Sequence, residues 1–152
     1  MGNVSFPGQY SILILDDEPC IAEVLKRFFQ ESLSCQTFST NNGDAAVELL
    51  KTGTFDLLST DVRHPGLNGL ELTRHVSQSF GTNIVILTGY KETTPEAAEA
   101  AGAAALFYKP VRLETFLQVV KRILGSPATT HTDGAGRAEG AVLLVDEVLL
   151  IF

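Results

Sequence analysis

Between Tyr10 and Leu124, short apolar runs containing β-branched residues alternate five times with segments of helical period. That rhythm constrains the fold more than any other property of the chain. Short parallel strands can be joined only by crossover segments, which are usually helical and right-handed. Ile12-Leu13-Ile14-Leu15 is the first run. It is continuous rather than alternating, as expected of a strand covered on both faces. Ile21, Val24, Leu25, Phe28 and Phe29 then recur on one helix face, with Pro19 early in that helix, where its missing N–H costs little.

The same reading continues along the chain. Residues 36–39 form a short strand, Asn42 caps a helix through Lys51, and Gly53 ends it. Residues 55–60 are a buried strand, and after a Pro/Gly/Asn turn residues 70–79 form a helix closed by Gly81. Ile84-Val85-Ile86-Leu87 is the clearest strand. Thr94 caps a helix with Pro95 at its first position, running through Ala101 to Gly102. Residues 104–108 make the fifth strand, and Leu113, Phe116, Leu117, Val120 and Leu124 face a last helix that stops at Gly125. The expected architecture is α/β, a doubly wound five-stranded parallel sheet flanked by helices, over residues 10–125.

Beyond it, residues 126–140 are rich in Ser, Thr, Gly and Ala and read as a flexible linker. Residues 141–152 are abruptly apolar, and Val142-Leu143-Leu144-Val145-Asp146-Glu147 echoes Ile12-Leu13-Ile14-Leu15-Asp16-Asp17-Glu18. That segment reads as the start of a truncated second repeat, an added strand, or a reading-frame artefact, and the sequence leaves the three open.

A formal net charge of −7 argues against a nucleic-acid surface and against adsorption to anionic membrane. Cys20 and Cys35 have no metal-ligand spacing and read as reduced thiols. The N-terminus lacks a signal-peptide pattern, and no apolar run approaches the roughly 20 residues of a spanning helix, so the expectation is a cytoplasmic protein without membrane contact. His64, His75 and His131 share no spacing with ligands or a nucleophile and read as turn or surface residues.

Polar groups follow four of the strands. Asp16 and Asp17 follow the first, Asp61 the third, Thr88 the fourth, and Lys109-Pro110 the fifth. In a doubly wound sheet these ends share one edge, close to where strand order reverses. Three carboxylates there repel one another, and a hard cation such as Mg²⁺ relieves this with oxygen ligands, waters and a phosphate. A lysine and a hydroxyl beside them suit an anionic group attached to, or attacked by, a carboxylate. No phosphate-binding GxxxxGK[ST] loop is present.

Asp16-Asp17, Asp61 with Pro65-Gly66-Leu67-Asn68-Gly69-Leu70, Thr88-Gly89, Ala101-Gly102-Ala103 and Lys109-Pro110 occur in order and at matching spacing. This pattern resembles the receiver domain of bacterial two-component response regulators, from about Tyr10 to Leu124. The resemblance implies a flavodoxin-like (βα)₅ fold and a phosphoacceptor at Asp61, served by a sensor histidine kinase or phosphotransfer protein. It implies Mg²⁺ bound by Asp17 and Asp61, by Asp16 through water, and by the backbone carbonyl of Arg63. Thr88 and Lys109 would hold the phosphoryl oxygens, and the bond before Pro110 would be cis.

Output would pass to an unknown downstream protein through the fourth helix, fifth strand and fifth helix, residues 91–124. No direct DNA binding is expected, because only the linker and twelve apolar residues follow; a homodimer stays open. The chain departs from the family at Leu106, where a switching aromatic partner of Thr88 is usual. Phe107 and Tyr108 come later, and strand parity puts Tyr108 on the face of Leu106. His64 stands for a common Met and Gly89 for a common Ala. Arg63 and Tyr90 would flank the path of water to an acyl phosphate. Two other classes compete with this reading. One is a phosphorylation-independent interaction module; the other is an Mg²⁺-dependent phosphatase with an Asp nucleophile, although such enzymes space their first two aspartates one residue apart.

Overall fold

The computed structural model describes residues 9–125 except 64, 65, 67 and 91, together with the backbone of 142–145 and 148–151. Five strands, β1 (Tyr10–Leu15), β2 (Cys35–Thr40), β3 (Leu57–Thr60), β4 (Asn83–Thr88) and β5 (Ala105–Tyr108), alternate with five helices. The helices are α1 (Pro19–Ser32), α2 (Gly43–Thr52), α3 (Gly69–Ser79), α4 (Pro95–Ala101) and α5 (Leu113–Gly125). The strands pair in parallel in the order β2-β1-β3-β4-β5, so the chain winds one way from β1 and then reverses.

Strand parity explains why the apolar runs are continuous. Ile12, Ile14, Leu57, Val85, Leu87, Ala105 and Phe107 pack against Leu25 and Phe29 of α1 and Phe116 and Val120 of α5. Leu13, Leu15, Leu58 and Ile84 face α2 and α3 on the other side, and Ile86 and Leu106 face Ala98 of α4. Phe107, Phe116 and Phe29 form a buried aromatic stack, with ring centroids 4.8 Å and 5.7 Å apart along it.

Local chemistry sets the helix ends. Asn42 accepts the amides of Asp44 and Ala45, Asn68 those of Leu70 and Glu71, and Thr94 that of Ala97. Gly102, at φ 103°, closes α4 in the left-handed conformation that glycine adopts without steric cost. α3 ends one residue before Phe80, whose amide bonds the carbonyl of Val76, so Gly81 lies beyond the helix rather than closing it. β3 is shorter than its apolar run. Asp56 turns its carboxylate to the Ser11 amide at 2.8 Å, and Phe55 leaves the strand to stack edge-on against Phe38.

Two further strands continue the sheet. β7 (Val148–Ile151) runs antiparallel to β5, and β6 (Val142–Val145) runs antiparallel to β7. The segment read as a linker, 126–140, lies outside the described residues.

Candidate functional site

The parallel strands deliver their carboxyl ends to one edge, and ladder bonds continue there past the strands. The Asp16 amide bonds Thr40 O, Asp61 N bonds Leu15 O, and Lys109 N bonds Thr88 O at 2.8 Å. Asp16, Asp61 and Lys109 each extend the row of alternate residues that faces α1 and α5, so their side chains converge. The Lys109 ammonium lies 3.0 Å from Asp16 Oδ2 and 2.9 Å from Asp61 Oδ2, with Glu18 farther off at 3.9 Å. Asp16 and Asp61 are 3% and 7% exposed, which makes this a desolvated ion cluster rather than a surface pair.

The remaining oxygens are held as well. Asp16 Oδ1 accepts the Glu18 amide at 2.9 Å, and Asp61 Oδ1 accepts the Val62 amide at 2.6 Å. Burial works to lower the pKa of Lys109, but hydrogen bonds and charge from Asp61 and Asp16 outweigh it and hold the pKa above the usual lysine value. Lys109 is therefore an ammonium throughout the neutral range.

Asp17 is exposed at the rim. Asp16, Asp17 and Asp61 each offer an oxygen within 4.8 Å of the other two, and among the described residues they are the only such group of three or more. The Lys109 ammonium pairs with two of these three carboxylates, Asp16 and Asp61. An all-oxygen donor set with one solvent-facing member suits a hard divalent cation that keeps some of its water.

Thr88 is fully buried, and its hydroxyl oxygen accepts the Tyr90 amide at 3.1 Å. It continues the row of Ile84 and Ile86 on the sheet face opposite the acidic cluster, next to Tyr108 in register. Thr88 thus joins the site through the backbone bond to Lys109, with its side chain directed to the neighbouring layer.

Leu106 is fully buried among Ile86, Ala98 and Ala103, and Tyr108 packs on the same cluster, as parity requires. The Tyr108 hydroxyl donates to Thr93 O at 2.6 Å. Arg63 is exposed; its guanidinium stacks 3.9 Å over the Tyr90 ring, with Glu92 at 4.0 Å, and so joins the loops after β3 and β4. The Lys109–Pro110 peptide is cis.

Other candidates lie elsewhere. His75 meets Phe80 edge-on in an open groove between α2 and α3, and His64 and His131 fall outside the described residues. Cys20 and Cys35 are free thiols; Cys35 donates to Phe29 O, and burial pushes its pKa up.

One residue of the site is legible in the sequence only as part of the turn motif after Asp61, with no role of its own. Gly69 opens α3 directly against the backbone of Asp61 and Val62, where a Cβ would collide with Asp61 O and Val62 Cα. Its amide also bonds Val62 O at 2.8 Å. A glycine after a turn carries no mark of what backbone it approaches.

A 2-1-3-4-5 parallel sheet with a lysine-bridged acidic cluster at its carboxyl edge defines a receiver-type signalling domain. The family model described as response regulator receiver domain matches residues 12–121, and the chain belongs to that family. It is 32% identical over 117 residues to the transcriptional regulatory protein CrdR of Helicobacter pylori, covering 75% of this chain and 54% of CrdR. It is 30% identical over 118 residues to the response regulator ArlR of Staphylococcus epidermidis, covering 75% of this chain and 52% of ArlR. The chain spans about half the length of these curated relatives.

The solved structure of the response regulator TrrA from Thermotoga maritima, in complex with Mg²⁺–BeF, superposes with a TM-score of 0.67. That alignment has 28% identity and covers 75% of this chain and 98% of TrrA. The chain is therefore a receiver domain of the two-component response regulators, a class that accepts phosphoryl groups from histidine kinases and binds Mg²⁺ at an acidic cluster. Among the described residues, no helix is long and apolar enough to cross a membrane.

Proposed function

We propose that Asp61 is the phosphoacceptor of this domain. A carboxylate oxygen of Asp61 attacks phosphorus while the P–N bond to the donor's phosphohistidine breaks, leaving an acyl phosphate and a free histidine. The donor is a sensor histidine kinase or a phosphotransfer protein. Asp16, Asp17, Asp61 and the backbone carbonyl of Arg63 would hold Mg²⁺, which when bound supplies positive charge to the transferring group.

The chain's own residues prepare the rest. The Val62 amide fixes one oxygen of Asp61, and Lys109 holds the other beside Asp16. Lys109 then pairs with the phosphoryl oxygens, and the Thr88 hydroxyl turns toward them. Preorganised charge of this kind is the main protein contribution to phosphoryl transfer. The domain acts on no other substrate; it catalyses its own phosphorylation and dephosphorylation. Arg63 and Tyr90, stacked across the two loops, flank the water that ends the acyl phosphate.

Output runs from the face of α4, β5 and α5 to an unknown downstream protein or to a second copy of the chain. Residues 10–125 carry this function in the cytoplasm, with 126–140 as a linker to the apolar segment 141–152.

The observation that carries this reading is the Lys109 ammonium bridging Asp16 and Asp61 inside the buried cluster. The test is incubation with acetyl phosphate or phosphoramidate and Mg²⁺, followed by intact-mass measurement. One phosphoryl adduct, lost in Asp61→Asn, is the expected result. No adduct together with no Mg²⁺ binding would instead favour a phosphorylation-independent interaction module, to which the buried Leu106 already lends weight. Turnover of many phosphate esters would make the protein a phosphatase.

A further inference from the structure

Without β7, β5 would be the open edge of the parallel sheet. An edge strand presents unpaired N–H and C=O groups and recruits other strands unless charge, proline or a cover prevents it. The sequence of β5, Ala-Leu-Phe-Tyr, contains neither charge nor proline. The chain supplies a cover. Phe107, Leu106 and Ala105 pair antiparallel with Val148, Leu149 and Leu150, and β6 pairs antiparallel with β7 on its other side. The backbone of β7 also runs close to both α4 and α5.

We propose that β6 and β7 form an intramolecular plug on the α4–β5–α5 face. The site it fills accepts an extended, apolar, antiparallel segment, the binding mode of β-augmentation. Val-Leu-Leu-Ile of β7 has that chemistry, being uncharged and β-favouring. Any partner that adds a strand to β5 must displace it. The partner's apparent affinity is then reduced by the fraction of molecules in which the plug is seated.

The 16 positions between Gly125 and Val142 could span up to about 50 Å when extended, enough length for β7 to pair with β5 of the same chain. The consequence for output rests on the function proposed above. The docking itself does not, because it involves no phosphoryl group.

The test uses the full chain and Leu149→Pro, which puts a residue without an N–H opposite Leu106. Hydrogen exchange read by mass spectrometry should show residues 105–108 exchanging at least tenfold faster in the variant. Residues 84–87 of β4 should stay protected in both, which reports an intact core. A peptide of residues 142–151 should bind Leu149→Pro saturably and wild type much more weakly. Equal exchange of β5 in the two proteins, or no peptide binding to the variant, would overturn the plug. So would protection that vanishes on dilution in step with a dimer in sedimentation. Asp61→Asn should protect β5 as wild type does. Loss of the acyl phosphate reading therefore leaves this result untouched, and the two failures are distinguishable.

Discussion

The Tyr108 hydroxyl donates a 2.6 Å hydrogen bond to the carbonyl of Thr93, tying the end of β5 to the loop that leaves Thr88. Thr88 and Tyr108 are also register partners. Leu106 cannot play the part of a hinged aromatic, and this bond is one side-chain link between β5 and that loop. Tyr108→Phe keeps the packed ring and removes the bond. Stability should fall by about 1 kcal/mol in urea melts, and exchange at residues 89–94 should quicken while Asp61 still accepts phosphoryl groups. Unchanged loop exchange would count against the link.

Lys109 separates two buried carboxylates. In Lys109→Met these face each other without a counter-charge, and removing one partner of a buried pair typically costs about 3–5 kcal/mol. The lysine side chain keeps 18% exposure, so the loss should fall at the lower end of that range. Denaturant melts should show it, with Mg²⁺ restoring part of it, and the phosphoryl adduct should drop at least a hundredfold in rate.

The alkaline limb of the stability curve carries the same pair. Tyr108 is pushed above its usual 10.0 by burial and then by Glu96, and Lys109 sits above its usual 10.5 because of Asp61 and Asp16. In both, the folded state holds its proton more tightly than the unfolded chain. Their contribution is complete below pH 10 and declines as pH rises through the raised values. Melts between pH 9 and 12 should fall more steeply for wild type than for the Tyr108→Phe, Lys109→Met double variant (each pH range roughly set by these groups).

Gly69→Ala tests how Asp61 is seated. The new methyl would meet Asp61 O and Val62 Cα, which are backbone and cannot swing aside. The variant should lose on the order of 2 kcal/mol by overpacking. Its phosphorylation rate should fall more than that of Gly81→Ala, which has open space around it. Equal rates would show that Asp61 tolerates the shift.

Asp17 is exposed, unlike its two partners, so Asp17→Asn should leave metal-free stability within about 0.5 kcal/mol. Wild type should gain about 2.7 kcal/mol at a hundredfold excess of Mg²⁺ over its Kd. In the variant, thermal melts across a Mg²⁺ titration should lose most of that gain.

The strands and helices were legible because their causes are local. The Ile12–Leu15 and Ile84–Leu87 runs, the Asn42 and Thr94 caps and the Pro19 and Pro95 starts each act within a few residues. The boundary of β3 was not, because the amide of Ser11, 45 positions away, bonds the Asp56 carboxylate while the Asp56 backbone still bonds both neighbouring strands. The acidic edge was legible once the sheet was parallel, since parallel strands must point their carboxyl ends the same way.

What the amino-acid order alone established is therefore a winding, a sheet edge and the residues that must meet there. Folding in three dimensions decided how they meet. Lys109 reaches across 48 and 93 positions to bridge Asp61 and Asp16. Thr88 turns to the opposite face, Gly69 presses on the backbone of Asp61, and Tyr108 rather than Leu106 holds the loop. Those relationships depend on how five crossovers pack, and short-range periodicity carries no information about distances that packing alone sets.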